Sequence, residues 1–417
     1  MNIRDMKITP IAVADPPVRN SSGVHEPYAL RTIVELVGED GLSGWGEITC
    51  VTDTVAELER VRDLVIGREA LDLNRLRRDV TARLGNDPRA GARIFSALEV
   101  AAFDLAGQAL GVPVCELLGG RARDRVPFSA YLFYKYAGGG GEHGDERADR
   151  WGEALTPRQL VAQAKDFVAT HGFTSIKLKA GVFEPAIEIE TMRQLRDAFG
   201  PAMPLRIDPN CAWTVATSIE IGTALAGTLE YFEDPTGGID GMAAVQRGLL
   251  AAGVELPLAT NMCVVRFEQI PPAVREDAVQ VILGDHHFWG GLRAVVELGR
   301  ICETFGIGMS MHSNSHLGVS LMAMVHLAAA TPWLTYDCDT HYPWQDEADE
   351  LLVGGKVPIV DGAIAVPDRP GLGIEVDRDA LARGHERYLR VPYRDRRDDH
   401  EMRRKYDPAW VTRLPRW

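Results

Sequence analysis

The segment Ser175–Gly181 reads "SIKLKAG", and it decides the fold prediction because it combines a buried-strand pattern with two lysines. Apolar residues alternate there with Lys177 and Lys179, so both ammonium groups lie on one face of the predicted strand. Placing two like charges on the same face of a core strand costs free energy. We therefore expect this strand to belong to a site whose chemistry requires the charges.

Strand-like runs recur along the chain at a regular interval. Eight of them are 128–134, 175–181, 205–211, 231–235, 258–262, 278–285, 307–313 and 335–341. The helical patterns between them include 157–170, 184–199, 214–226, 292–305 and 317–330. Strands that alternate with helices predict a parallel β/α barrel, and the eighth strand lacks a following helix. The predicted fold class is therefore α/β, a TIM-like (β/α)₇β barrel.

Seven of the predicted strands end in a polar residue. These residues are 24 to 29 positions apart, about one strand–helix repeat each, and they are Lys179, Asp208, Glu233, Asn261, Asp285, His312 and His341. A barrel gathers the carboxyl ends of its strands around one cavity, so the seven side chains should converge on one site.

The remaining sequence predicts a second domain. Residues 30–48 read as two strands joined by a polar turn, and residues 93–111 have apolar side chains at helical spacing. We expect an α+β capping domain over residues 1–127, a barrel over 128–355, and a tail over 356–417 that packs back on the capping domain. The polar, glycine-rich segment 138–150 predicts a long mobile loop after the first barrel strand.

Composition limits the possible partners. The 417 residues carry a net charge of −14, which argues against nucleic acid or an anionic membrane as a partner, and an acidic substrate would need a local cation. The six cysteines form no C-x-x-C pair, which is typical of a reducing compartment. Neither a signal core nor a membrane span is evident, so we expect a cytoplasmic protein.

Asp208, Glu233 and Asn261 end three consecutive predicted strands and offer two carboxylates and one neutral oxygen. Oxygen ligands with room for water favour Mg²⁺ over zinc or copper. Aspartate and asparagine also cap helices, which is the alternative for any one of them. Three such residues in register favour the metal site.

Two candidate bases flank this predicted metal site. An ordinary lysine has a pKa of about 10.4 and cannot accept a proton at neutral pH, but a neighbouring ammonium and partial desolvation lower that value. Lys179 is the predicted base, with Lys177 as its electrostatic partner; the alternative is a pair of lysines that bridge carboxylates. His312, oriented by Asp285, is the second predicted base, against the alternative of a structural histidine. Such a pair suits proton abstraction next to a carboxylate.

These residues resemble a known family. The motifs "KLK" (177–179), "DPN" (208–210), "EDP" (233–235), "ATN" (259–261) and "MHSNSH" (311–316) are similar to those of the enolase superfamily, and within it to the D-glucarate dehydratase family. The resemblance extends to "GWGE" (44–47), "AAFDLAGQALGVPVCELLGG" (101–120), "EALTP" (153–157), "DTHYPWQ" (339–345) and "PGLGIEVD" (370–377). An asparagine as the third metal ligand is characteristic of that family.

The resemblance implies a hydro-lyase that binds Mg²⁺ and removes the C5 proton and 4-hydroxyl of D-glucarate or L-idarate. It also implies a homo-oligomer and a small diacid sugar as the partner. The substrate-binding residues that it implies are Asn20, His25, Tyr131, Phe133, Asn210, Asn314, His341 and Arg397. Surface ion pairs are the alternative role for Arg397, which lies among other charged residues.

One position departs from the family pattern. Family members carry a substrate-contacting threonine before a helix, where this chain has Ala90 or Gly91. A missing hydrogen bond to a substrate hydroxyl shifts preference considerably, so galactarate or another hexarate stays open. An epimerase with the same two bases is a further alternative. A non-catalytic relative is disfavoured because all seven polar strand ends are retained, and a zinc hydrolase would need more histidine ligands.

Overall fold

The N-terminal part of the chain folds as a three-stranded antiparallel sheet packed on helices. The computed structural model describes residues 1–85 and 88–417. Its first elements are β1 (Ile3–Ala14), β2 (Arg19–Asn20), β3 (Gly23–Val24), β4 (Tyr28–Gly38), β5 (Ser43–Thr49), α1 (Thr54–Val65), α2 (Leu73–Leu84), α3 (Pro88–Leu110) and α4 (Val114–Leu117). The sheet order is β1-β4-β5, so the predicted hairpin at 30–48 is confirmed as β4 and β5.

Two glycines of β5 let α3 lie directly on the sheet. A β-carbon at Gly44 would lie 2.1 Å from the backbone oxygen of Ala101, and one at Gly46 would lie 2.2 Å from that of Ala97. Any larger residue would force the helix away from the strand. The motif "GWGE" therefore encodes a close strand–helix contact in the capping domain.

Seven short parallel strands carry the predicted site residues. They are β7 (Ala130–Phe133), β8 (Ile176–Lys179), β9 (Leu205–Asp208), β10 (Tyr231–Glu233), β11 (Leu258–Thr260), β12 (Val281–Gly284) and β13 (Gly308–Met311), preceded by the separate strand β6 (Arg125–Pro127). Each pairs with its sequence neighbour in the order β7 to β13. This arrangement confirms the predicted parallel β/α fold under an α+β capping domain.

The crossover helices surround these strands. They are α5 (Pro157–His171), α6 (Pro185–Phe199), α7 (Val215–Ala224), α8 (Gly238–Ala251), α9 (Ile270–Arg275), α10 (His286–Trp289), α11 (Leu292–Phe305) and α12 (Gly318–Ala329). The five helical patterns predicted from sequence correspond to α5, α6, α7, α11 and α12, with every boundary within two residues. The predicted absence of a last crossover helix also holds, because the described chain has no α-helix between residues 342 and 377.

The segment 335–341 occupies the eighth position of the ring without forming a regular strand. Cys338 makes one parallel bridge to Phe128, and the amide of Asp339 donates to the Met311 oxygen at 2.8 Å. Its hydrogen bonds are divided between the two neighbouring strands, so neither ladder continues. The sequence overestimated the strand character of 335–341 but predicted its place in the ring correctly.

The glycine-rich segment 138–150 forms an irregular loop, as predicted, and ion pairs fasten it to the rest of the protein. Arg147 reaches Asp349 at 2.7 Å, and Asp145 accepts from Arg387 at 2.6 Å. Asp149 pairs with the buried Lys135 at 2.8 Å. These contacts hold the loop in this structure; its predicted motion stays a prediction.

The C-terminal tail contains β14 (Ala363–Ala365), α13 (Arg378–Arg390) and α14 (Asp398–Lys405). β14 pairs with β6, and α13 lies against β1, where Arg387 donates to the Ala12 oxygen at 2.8 Å. Three short 3₁₀ turns at Phe267–Gln269, Tyr342–Trp344 and Glu347–Asp349 complete the described structure. Within the residues described, no helix has both the length and the apolar character needed to cross a bilayer.

Asp104 on α3 ties three parts of the fold together. Its carboxylate accepts from the amide of Trp45 at 2.9 Å and from the amide of Leu372 at 2.7 Å. Burial raises the pKa of Asp104 to about 6 although both amides favour the charged form. One carboxylate thus joins the capping sheet, its helix and the tail.

Replacing Asp104 with alanine should lower the free energy of unfolding by about 2–4 kcal/mol, because two buried amides lose their acceptor. Urea denaturation followed by circular dichroism measures the change. Asp124→Ala, at a side chain that is 88% exposed, is the matched control and should stay within about 0.5 kcal/mol of the original protein. Equal stability of the two variants would contradict the structural role of Asp104.

Candidate active site

The carboxyl ends of the barrel strands open into a cavity of about 960 Å³ beneath the capping domain. Ten of the predicted site residues line it, namely Asn20, His25, Tyr131, Phe133, Lys179, Asn210, Asn261, His312, Asn314 and His341. Four more, Lys177, Asp208, Glu233 and Asp285, lie buried around it. The expected convergence of the strand ends is therefore observed.

The two lysines of β8 point to the same group of carboxylates. Lys179 Nζ lies 2.6 Å from Asp208 Oδ2 and 2.7 Å from Asn210 Oδ1. Lys177 Nζ lies 3.5 Å from the same Asp208 oxygen. The shared face predicted from the alternation in "IKLK" is thus present, and of the two lysines it is Lys179 that lines the cavity.

Lys177 is completely buried and compensated by carboxylates. Its Nζ lies 2.5 Å from Glu233 Oε2 and 2.6 Å from Asp339 Oδ2. Burial alone would lower the pKa of Lys177, but Asp339 and Glu233 outweigh it and raise the pKa well above the ordinary value. Three carboxylates thus surround Lys177 and stabilise its charged form.

Asp208, Glu233 and Asn261 stand at the carboxyl ends of neighbouring strands; the two carboxylates meet at Lys177 Nζ, and Asn261 lines the cavity. Glu233 is fully buried, and its Oε1 has no hydrogen-bond partner among the described residues. A buried carboxylate oxygen without a donor is what a bound cation would satisfy. Two carboxylates and one amide oxygen form the hard ligand set that Mg²⁺ prefers, so the residues present fit this ion.

The backbone at these strand ends is unusual. Asn210, Cys211 and Asp234 have φ values of 52°, 60° and 35°, in the left-handed region that non-glycine residues seldom adopt. Asp234 Oδ2 accepts from the amide of Asn261 at 2.8 Å, and its Oδ1 accepts from the Thr260 hydroxyl at 2.5 Å. Hydrogen bonds thus hold this local strain next to the three candidate metal ligands.

Asp285 orients two imidazoles. Its Oδ2 accepts from His312 Nδ1 at 2.8 Å, and its Oδ1 accepts from His287 Nδ1 at 2.8 Å. Burial would raise the pKa of Asp285, but the two rings hold it well below its usual range. Because Nδ1 of His312 donates to Asp285, Nε2 is the ring nitrogen that can accept a proton, as a general base requires.

Aromatic rings form the wall next to the lysines. The Tyr131 hydroxyl donates to Asp208 Oδ2 at 3.1 Å, and its ring lies 4.8 Å from the ring of Phe133. His341 lies 4.8 Å from Tyr131, and burial lowers its pKa well below the ordinary value. A neutral imidazole at this place is suited to hydrogen bonding with a hydroxyl rather than to ion pairing.

The capping domain contributes a second set of polar groups. His25 Nδ1 donates to Asp15 at 3.0 Å, and Asn20 Nδ2 donates to Asp398 in the tail at 2.6 Å. Both side chains line the cavity from above the strand ends. The loop predicted to reach the substrate is therefore held by the tail as well as by its own domain.

Two domain profiles match most of the chain. "Enolase C-terminal domain-like" matches residues 159–380, and "Mandelate racemase / muconate lactonizing enzyme, N-terminal domain" matches residues 4–119.

The chain belongs to the enolase superfamily.

Similar proteins match this superfamily member over its whole length. The "Probable glucarate dehydratase" of Streptomyces coelicolor is 46% identical over 442 residues, covering 100% of this chain and 99% of the relative. An enolase structure from Pseudomonas fluorescens with bound magnesium, potassium and tartrate is 45% identical, with a TM-score of 0.94 and coverage of 100% and 99%. Another from Thermobispora bispora, with magnesium and formate, is 50% identical, with a TM-score of 0.93 and coverage of 100% of both chains. The predicted family is thereby confirmed.

Seven of the eight predicted substrate-binding residues line the cavity. The eighth, Arg397, does not. Its neighbour Arg396 lines the cavity instead and pairs with Asp398 at 2.9 Å. Arg397 is exposed, and its amide donates to Glu26 at 3.0 Å. The two arginines stand just before α14, where irregular backbone gives no alternation from which to choose between them.

Three further residues of the site were missed from sequence. Asp339 pairs with Lys177, His287 shares Asp285 with His312, and Arg31 donates to Asn314 at 2.9 Å. Asp339 precedes His341 by two positions, so the alternation that revealed the lysines also applied to it. Arg31 had no such signal, because it lies within a strand of the other domain.

Replacing Lys177 with methionine should lower the free energy of unfolding by about 3–5 kcal/mol, since it leaves buried carboxylates without their counter-charge. Urea denaturation in EDTA measures the loss, and added Mg²⁺ should recover part of it. Lys165→Met, on the exposed face of α5, is the control and should change stability little. A Lys177 variant as stable as the control would contradict the compensating role.

Proposed function

We propose that this protein is a Mg²⁺-dependent hydro-lyase that dehydrates a hexarate, with D-glucarate as its substrate. The observation that carries the proposal is that Lys179, His312 and Asn261 line one cavity, and that the buried carboxylate of Asp208 lies 2.6 Å from Lys179 Nζ. The dehydratase name of the 46% identical relative supports the predicted class, a carbon–oxygen lyase.

The metal would be held by Asp208, Glu233 and Asn261, and it would supply positive charge for the carboxylate next to the reacting carbon. Magnesium in the related structures supports this assignment. The fit also rests on the unpartnered oxygen of Glu233 described above. Lys177 would still balance the negative charge of the buried carboxylates around it.

Lys179 would accept the C5 proton of D-glucarate through its amine, so that the C5–H electron pair is free to form a double bond to C4. The C4–O bond then breaks, and His312 donates a proton to the departing hydroxyl, which leaves as water. The resulting enol tautomerises to 5-dehydro-4-deoxy-D-glucarate. For L-idarate, the C5 epimer, His312 would take the proton instead. Asp285 holds the ring through Nδ1 in both cases.

Cationic side chains in the cavity would offset the repulsion between an acidic substrate and a chain whose net charge is −14. Besides Lys179, the cavity is lined by Arg31, Arg89, Arg93, Arg266 and Arg396. Guanidinium groups bind carboxylates through paired N–H donors. Arg396 is the proposed contact for the distal carboxylate, in place of Arg397.

Galactarate or another hexarate is the second candidate substrate. It is favoured by one observation, namely that Ala90 lines the cavity near the place where relatives carry threonine. A methyl group in place of a hydroxyl removes one means of distinguishing diastereomers. An epimerase would use the same two bases without expelling the hydroxyl.

Lys179→Ala should abolish turnover of D-glucarate, and His312→Asn should abolish turnover of both C5 epimers because it also removes the acid. Release of the keto acid, detected as its semicarbazone, measures both. Lys165→Ala is the control and should retain full activity, since this residue is exposed on a barrel helix. Undiminished turnover of D-glucarate by Lys179→Ala would show that another residue is the base.

Removal of Mg²⁺ with EDTA should abolish activity, and restoring the ion should recover it. Mg²⁺ should also raise the melting temperature of the protein, because binding to the native state alone stabilises it. Asp208→Asn should lose most of this thermal shift, since it removes an anionic ligand. An equal shift in that variant would place the ion elsewhere.

A further inference from the structure

A second cavity adjoins the active site. It has a volume of about 450 Å³ and lies between the capping helices α2 and α3 and the segment after β11. Ala92, Val265, Arg266 and Phe288 line both cavities, so the two share one wall. We call this second cavity the side chamber.

The side chamber begins close to the reacting groups. The Phe288 ring, which lines both cavities, lies 5.8 Å from the ring of His312. Phe288 is 44% exposed, which is unusual for a phenylalanine and leaves its ring facing open space. The Phe288 ring therefore lies next to both the predicted acid and the side chamber.

Gly91 keeps part of this space open. It lies near the start of α3, where glycine is less favourable than alanine. Nothing in the backbone demands it, because its φ is outside the left-handed region, and a β-carbon there would lie 3.6 Å from the nearest atom, Thr81 Cα. A β-carbon would thus fit at this position, which lines the side chamber.

Arg266 supplies an uncompensated cation to the side chamber. Its Nε is buried without a hydrogen-bond partner. Within residues 1–85 and 88–417, its side chain makes no ion pair and no hydrogen bond. Arg77 adds a second guanidinium from α2, against the single carboxylate of Glu268. A guanidinium N–H that is buried without an acceptor costs free energy, and an anion in the side chamber would supply that acceptor.

We propose that the side chamber binds an anionic group at the far end of an acid sugar longer than a hexarate, with Arg266 as the contact. This proposal rests on the dehydratase function proposed above. The main cavity alone, at about 960 Å³, is at the upper end of typical small-molecule sites, so the extra space exceeds what a hexarate needs. The anion is a carboxylate or a phosphate ester, since both match a guanidinium.

The test compares substrates that differ in length and in terminal group. The panel is D-glucarate and galactarate as hexarates, seven- and eight-carbon aldarates as extended carboxylates, and aldonate phosphates as extended phosphates. The readout is the ratio of kcat/KM for each extended substrate to kcat/KM for the better hexarate. Isothermal titration of the same compounds to the Mg²⁺-loaded protein gives the dissociation constants.

Two variants address the side chamber, each with a matched control. Arg266→Gln removes the cation, and Arg78→Gln is its control, because Arg78 is exposed and pairs with Asp79. Gly91→Leu fills the space, and Gly91→Ala is its control, because it adds the helix preference without the bulk. The ratio for at least one class of extended substrate should fall about tenfold or more in both test variants and change by less than about twofold in both controls.

The outcomes separate the two proposals. If hexarates are dehydrated but the ratios are the same in test and control variants, the side chamber proposal is wrong while the dehydratase function stands. If no acid sugar is turned over, the function is wrong, and the dissociation constants decide on the side chamber. Affinity for extended anions that is lost in Arg266→Gln and Gly91→Leu would then support it, and unchanged affinity would overturn it.

Discussion

The fold of the site depends on mutual compensation between buried lysines and buried carboxylates. Lys177 is completely inaccessible and has three carboxylates around it, of which Asp339 lies at 2.6 Å. None of these charges could be buried alone, because each would pay a desolvation cost with no Coulombic return. Their positions at the carboxyl ends of neighbouring segments of the ring are therefore interdependent. Lys179, which is bound to the same group through Asp208, is the member left facing the cavity.

The residues that sequence located best are those whose position is periodic. A parallel strand repeats every strand–helix unit, and its last side chain faces the common cavity, so Asp208, Glu233 and Asn261 could be placed without coordinates. The same logic extends within a strand, where positions two apart share a face, and it applied to Asp339 as well. It was overlooked there because His341, the last residue of the predicted strand 335–341, was taken as the site residue of that strand.

Residues on irregular backbone could not be placed in this way. Arg396 and Arg397 are adjacent and identical in chemistry, and only the turn before α14 directs one to the cavity and the other to solvent. Arg266 is comparable, since no pattern in the sequence indicates that its Nε is buried without a partner among the described residues. Neither arrangement follows from a periodic pattern in the sequence, because these residues lie on irregular backbone. Capping-domain contacts therefore remain the least predictable part of this site.

One carboxylate of the capping domain links substrate recognition to the barrel. Glu47 accepts from Arg31 at 2.8 Å through Oε1, and the same side chain accepts from the amides of Leu317 and Ser320, both at 2.9 Å, at the start of α12. An anion at a helix N-terminus is favoured by the unpaired amides and the helix dipole. Arg31 in turn donates to Asn314, which follows β13 by three residues. The capping domain is thus attached to the barrel through the segment that carries His312. A change in the position of the capping domain would therefore alter the geometry of the two proposed bases.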